Sequence, residues 1–203
     1  MKVICIGRNY ADHAKELNNP VPATPVFFLK PDTAILKDNA DFYLPDFSSE
    51  IHHELEVVVK INKAGKHISA QFASSYYDEI GLGIDFTARD LQQECKSKGL
   101  PWEIAKAFDG SAPIGLFLPK SNFPDLSNVQ FELKINGETR QVGNTHDMIF
   151  NINHIIAYVS RFITLKTGDL IYTGTPSGVG PVKIGDNLQG FMEGEKLLDF
   201  TVK

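Results

Sequence analysis

Apolar positions two residues apart, punctuated by glycine, proline and asparagine, dominate the chain. That alternation is the mark of half-buried strands. Strands are predicted over residues 2–6, where Gly7 ends the run, over 26–29, and over 53–62 in HHELEVVVKI. Further strands are predicted over 79–86, near 114–118, and over 169–173, 187–193 and 196–202. Residues 129–143 hold two alternating runs around Asn136-Gly137, the strongest short hairpin signal. Helical spacing is confined to three stretches. One covers 10–17, stopped by the three prolines of NNPVPATP. A second covers 87–97, with Thr87 or Asp85 as N-cap and Gly99 and Pro101 beyond its end. The third covers 148–163. Residues 31–50 and most of 102–128 read as loop. The sum is one β-rich α+β domain over 1–203.

Composition narrows the partners. A net charge of −5 without a basic run argues against nucleic acid and leaves small molecules. Cys5 and Cys95 stand in no metal-like or redox-like spacing, so a reducing compartment is expected. No apolar run approaches the ~20 residues of a membrane span. The first ten residues lack the long apolar stretch of a signal peptide, so the expected location is the cytoplasm.

The candidate chemistry starts at Glu54 and Glu56. On a strand both point to one face, at the mouth of an apolar run where like charges repel. A divalent cation would compensate them; a solvated strand end would need no partner. Asp85, at the end of EIGLGID, offers a third carboxylate. Three carboxylates without cysteine form a hard, oxygen-only set suited to Mg²⁺ or Mn²⁺. His52 shares the strand face of the glutamates, as ligand, as neighbour of a ligand or as a surface histidine. His13 and Glu16, three apart on a helix, pair either as an oriented general base or as ordinary surface charges. Lys106, among apolar residues in PWEIAKAFDG, either balances an anionic substrate or snorkels. Arg89 and Gln92 share one helix face beyond Asp85. YTGTPSGVGPV, 172–182, is a glycine-rich loop after a strand that can bring N–H groups and hydroxyls to an anion, but it is no Walker loop.

HHELE, GIDFTARDLQ, KGLPWEIAKAFDG and TGTPSGVGPV, in this order, resemble the fumarylacetoacetate hydrolase family. GRNYADHAKEL is similar to its acylpyruvase/oxaloacetate decarboxylase-like subgroup. The resemblance spans nearly the whole chain and lacks the separate N-terminal domain of larger members. It implies a mixed β-roll or sandwich of the family's C-terminal-domain type, usually a homodimer. It implies Mg²⁺ or Mn²⁺ on Glu54, Glu56 and Asp85, a catalytic dyad of His13 and Glu16 on a flexible lid around 9–25, and substrate contacts from Lys106, Arg89, Gln92 and Thr175. The activity implied is metal-dependent C–C bond cleavage in a 2-oxo acid, by acylpyruvate hydrolysis or oxaloacetate decarboxylation. Isomerisation or tautomerisation of a related 2-oxo diacid is the alternative within the family. A non-catalytic 2-oxo acid binding protein is the alternative outside enzymology.

Overall fold

The computed structural model describes residues 1–16 and 21–203, without the side chains of Ala14 and Lys15. In chain order its elements are β1 (Val3–Ile6), α1 (Ala11–Glu16), β2 (Phe27–Lys30), β3 (Ile35–Leu36), β4 (Ile51–His53), β5 (Leu55–Ile61) and α2 (Ala70–Ala73). Then follow β6 (Tyr77–Ile84), β7 (Thr87–Ala88), α3 (Arg89–Lys98), α4 (Glu103–Lys106), β8 (Ala112–Pro119), β9 (Gln130–Ile135) and β10 (Glu138–Asn144). The last are α5 (Ile152–Ser160), β11 (Leu170–Tyr172), β12 (Gly180–Pro181), β13 (Asn187–Met192) and β14 (Glu195–Thr201).

A mixed seven-stranded sheet, ordered β2-β1-β11-β5-β6-β8-β3, carries the molecule. A four-stranded sheet, β10-β9-β13-β14, packs against it, and a small sheet, β12-β4-β7, closes one end. β5 lies in the middle of the large sheet, and both its faces are covered. Val57, Val59 and Ile61 enter the main core with Leu82, Leu133, Leu188 and α5. Val58 joins a second cluster with Val3, Cys5 and Tyr172 on the opposite face. Strand alternation puts Glu56 on the Val58 side, so the sheet's second face holds both apolar packing and the carboxylates. Sheet-on-sheet contact is close enough to demand glycine once: a Cβ on Gly115 of β8 would lie 2.2 Å from the Leu197 carbonyl oxygen of β14.

The hairpin forms as its sequence requires. Asn136 and Gly137 both take positive φ, 55° and 82°, the pattern of a type I′ turn. A bulge between Thr139 and Gln141 follows, and Gln141 turns inward to 1% exposure.

Three element boundaries differ from expectation. The helix expected over 87–97 begins at Arg89, because Thr87 and Ala88 pair with β4 and neither Thr87 nor Asp85 caps it. It ends as expected, with Gly99 at φ 64°. The helix expected over 148–163 begins at Ile152. Asn9 takes the preceding residues instead: its carbonyl accepts from Ile149 N–H and its side chain pins Phe150. Asn151 then caps α5 through His154 N–H. The stretch 102–128 is more regular than expected, since α4 and the eight-residue β8 fill much of it. The expected helix over 10–17 is present as α1; Leu17, and with it residues 18–20 of the expected lid, lie outside the described residues.

Candidate active site

Glu54, Glu56 and Asp85 come together as read from the sequence. Their carboxylate oxygens lie within 4.8 Å of one another and all three residues are buried. The sheet does this directly: Leu55 pairs with Ile84, so the residues flanking that pair share one end of β5 and β6. Asp85 N–H donates to the Glu54 carbonyl at 2.8 Å.

Three cations surround two of these carboxylates. Lys106 Nζ donates to Glu54 Oε2 (2.8 Å), Asp85 Oδ2 (2.7 Å) and Thr87 Oγ1 (2.5 Å). Arg89 donates to Glu54 Oε1 at 2.6 Å. Lys30 Nζ lies 2.7 Å from Asp85 Oδ1 and hydrogen-bonds the carbonyls of Phe86 and Ser111. Glu56 has less: among the described residues one hydrogen bond, from Gly174 N–H at 2.6 Å. The two glutamates therefore titrate in opposite directions. Burial pushes Glu54 up, but Lys106 and then Arg89 hold it well below the usual carboxylate range. Burial, then Asp85 and Glu54, push Glu56 well above it. Lys106, despite burial, is raised to about 12 by Asp85 and Glu54. A buried, hard, oxygen-only triad with one under-compensated member fits a divalent cation.

His13 Nδ1 lies 3.0 Å from Glu16 Oε2, and Glu16 Oε1 accepts from Gly178 N–H at 3.0 Å. The carboxylate accepts Nδ1–H, which leaves Nε2 with the lone pair. Through Glu16, α1 is tied to the TGTPSGVG loop. His13, Glu54, Arg89, Gln92 and Lys106 line one small cavity of about 20 Å³. Arg89 donates to Gln92 Oε1 at 2.7 Å, so the Gln92 amide nitrogen keeps its protons for another partner. Arg89 Nε is buried and lacks a hydrogen-bond partner among the described residues.

Thr175 is buried and does not line that cavity. Its surroundings rest on Gln141, which sequence reasoning missed. Leu55 N–H can only donate, and it meets Gln141 Oε1 at 2.9 Å. The amide nitrogen must therefore face Thr175 Oγ1 (2.8 Å) and the Pro176 carbonyl (3.0 Å). Thr175 accepts from Gln141, and its own hydroxyl points to the Pro176 carbonyl at 3.5 Å. His53 Nδ1, 2.9 Å from the same Oε1, must be its protonated nitrogen, and burial lowers the pKa of this imidazole. Gly174 is needed in the same loop: φ is 102°, and a Cβ would lie 2.6 Å from Asn9 Cβ.

His52 pairs with Glu50 at 2.9 Å and is outside the triad. Lys30 was the second residue missed. It ends an apolar strand, FFLK, and nothing local marks it as the partner of an aspartate 55 positions later.

The family description "Fumarylacetoacetate (FAA) hydrolase C-terminal" matches residues 2–201, and the chain belongs to this family of enzymes. It is 46% identical over 201 residues to oxaloacetate tautomerase FAHD1, mitochondrial, from Bos taurus, covering 99% of this chain and 91% of that protein. It is 46% identical over 185 residues to oxaloacetate decarboxylase, mitochondrial, from Dictyostelium discoideum, covering 91% of this chain and 85% of that one. The crystal structure of fumarylpyruvate hydrolase from Pseudomonas aeruginosa, in complex with Mn²⁺ and pyruvate, superposes with a TM-score of 0.93 at 38% identity, covering 100% of this chain and 89% of that chain. The fold is thus the β-rich α+β fold of this family. No helix among the described residues is long and apolar enough to cross a membrane.

Proposed function

We propose that this protein is a Mg²⁺- or Mn²⁺-dependent enzyme that breaks a C–C bond in a 2-oxo acid, by acylpyruvate hydrolysis or oxaloacetate decarboxylation. The observation that carries this is a buried carboxylate triad whose member Glu54 lines the same cavity as His13, the imidazole that Glu16 holds. Glu54, Glu56 and Asp85 would hold the cation, and a bound cation polarises the 2-oxo acid that chelates it.

The chain's residues supply the rest. His13 Nε2, held by Glu16, takes a proton from water as its oxygen joins the distal carbonyl carbon of an acylpyruvate. The bond between that carbon and C3 then breaks. The electron pair stays on C3, which regains a proton to give pyruvate, and the other fragment leaves as a carboxylic acid. With oxaloacetate the C3–C4 bond breaks, CO₂ departs and C3 is protonated, so no water attack is needed. Arg89 and Lys106 offset anionic charge, and the Gln92 amide donates a hydrogen bond to the acid; Thr175, outside the cavity lining, acts through the loop that Gln141 holds. α1 and the residues around 9–25 act as the lid. The functional unit is a cytoplasmic homodimer, tested by light scattering and by fractionation.

A second reading is tautomerisation of oxaloacetate, favoured by the name of the bovine relative. It moves one proton between C3 and the keto oxygen and releases nothing. Pyruvate and CO₂ release, measured beside the ultraviolet enol band on a panel of acetylpyruvate, fumarylpyruvate and oxaloacetate, separates the two. Product release that stops with chelator and returns with Mn²⁺ supports bond cleavage. Enol decay without product supports tautomerisation, and product release indifferent to chelator overturns both metal-dependent readings.

A further inference from the structure

The cavity holds more positive charge than the site's own carboxylates use. Besides Arg89 and Lys106 it is lined by Arg8 and Lys96, while among the described residues its only acidic lining residue is Glu54. Arg89 and Lys106 already occupy both oxygens of Glu54. Among the described residues neither Arg8 nor Lys96 has a carboxylate within ion-pair distance. Lys96 is not a free surface lysine. It is half-buried, and its ammonium sits 5.6 Å from the centre of the Trp102 ring, which in turn packs on Phe28. Burial, then the positive charges of Arg89 and Arg8, lower its proton affinity. An anion placed between these groups would relieve that repulsion.

The spacing sets where the anion sits. Arg89, Gln92 and Lys96 fall at i, i+3 and i+7 on α3, so they share one face. Lys96 lies two turns, about 10 Å along the axis, from Arg89. Arg8 faces it from the segment after β1, beside Gly7. Arg89 and Lys106 stand at the carboxylate triad; Arg8 and Lys96 form a second cationic pair beyond it.

We propose that Arg8 and Lys96 form a second anion subsite that binds the distal carboxylate of a dicarboxylic 2-oxo acid. The inference rests on the 2-oxo acid reading above and sharpens it. A monocarboxylic acylpyruvate leaves the pair without a partner, whereas oxaloacetate, or an acylpyruvate carrying a terminal carboxylate, fills it. The subsite makes the enzyme selective for diacids.

The test compares wild type with Arg8→Gln, Lys96→Gln and the double variant, loaded with Mn²⁺, on oxaloacetate and acetylpyruvate. Losing a charge-assisted hydrogen bond is worth roughly a 10–100-fold change in binding. The ratio of kcat/KM for oxaloacetate over acetylpyruvate should fall by about that factor in the double variant, chiefly through KM, and Lys96→Arg should restore much of it. Equal losses on both substrates, with unchanged melting temperatures, would overturn the subsite. Calorimetric binding of 2-oxoglutarate and 2-oxobutyrate to the same proteins decides the matter independently of turnover. Wild type should prefer the diacid and the double variant should lose that preference; no preference in wild type sinks the proposal. A wild type inactive on every acid but still preferring the diacid would refute the reaction and leave the subsite standing.

Discussion

Glu54, at the junction of β4 and β5, and Glu56, inside β5, are two residues apart and live in opposite electrostatic worlds. On the Glu54–Asp85 side, Lys106, Arg89 and Lys30 contact all four carboxylate oxygens. On the Glu56 side a single backbone N–H answers a buried carboxylate. The first side is a charge network braced by three cations. The second is left short of positive charge, at a place where three carboxylate oxygens already converge. Stability and cation affinity are thus divided between neighbouring residues: one half of the triad is braced, and the other half supplies the demand for an ion.

The strongest way to break this contrast is to remove a brace. Lys30 is fully buried, so Lys30→Met should destabilise the metal-free protein by about 3–5 kcal/mol, read by urea denaturation, because it removes the cation at Asp85 Oδ1 and leaves Lys106 to answer both Asp85 and Glu54. A loss under about 1 kcal/mol would mean that Asp85 does not depend on it. Exchanging the glutamates should give opposite signs. Glu54→Gln leaves Arg89 without its carboxylate and should cost about 1–3 kcal/mol. Glu56→Gln removes a buried carboxyl that the fold keeps from ionising and should stabilise the metal-free fold by about 1 kcal/mol. Equal effects of the two substitutions would erase the contrast.

pH sharpens it further. The Glu56 pKa is raised in the folded protein, so between the ordinary glutamate value and that raised value the unfolded chain ionises and the folded one does not. The Glu56 contribution is favourable at the acid end and is lost as pH rises through this window, by up to about 1.4 kcal/mol per pH unit. The rise in melting temperature on adding Mn²⁺ should therefore grow with pH, and Glu56→Gln should flatten the slope. The smallest expected effect lies at the edge of the site. Gln141→Leu removes the donor to Thr175 and the acceptor for Leu55 N–H. It should raise KM several-fold more than it lowers kcat, and a double-mutant cycle with Thr175→Val should show non-additivity of about 0.5–3 kcal/mol.

Much of this was legible in the sequence for physical reasons. The two-residue spacing of Glu54 and Glu56 pointed to their convergence, although the expected strand over 53–62 breaks at Glu54, and the Asn136-Gly137 turn announced its hairpin. The His13–Glu16 contact follows from helical spacing alone. What was not legible depends on contacts across the fold. Lys30 reaches Asp85 only because β2 and the Asp85 loop meet at one end of the sheet. Gln141 looks like an outward residue of an amphipathic strand until a bulge turns it inward. The starts of α3 and α5 were misplaced because strand pairing at Thr87–Ala88 and the Asn9 side chain overrode local helical pattern. Lys106 lines the cavity, and its contacts with Glu54 and Asp85 were a further role that its apolar sequence context did not mark.

The central claim is that Glu54, Glu56 and Asp85 bind the divalent cation on which activity depends. Titrating metal-stripped protein with Mn²⁺, following the free-ion electron paramagnetic resonance signal and pyruvate release from oxaloacetate in the same samples, tests it most directly. Activity should rise in step with one tightly bound Mn²⁺ per chain, and Glu56→Ala should lose both the binding and the activity. Full activity in the stripped protein, or tight stoichiometric Mn²⁺ binding that survives Glu56→Ala, would contradict it.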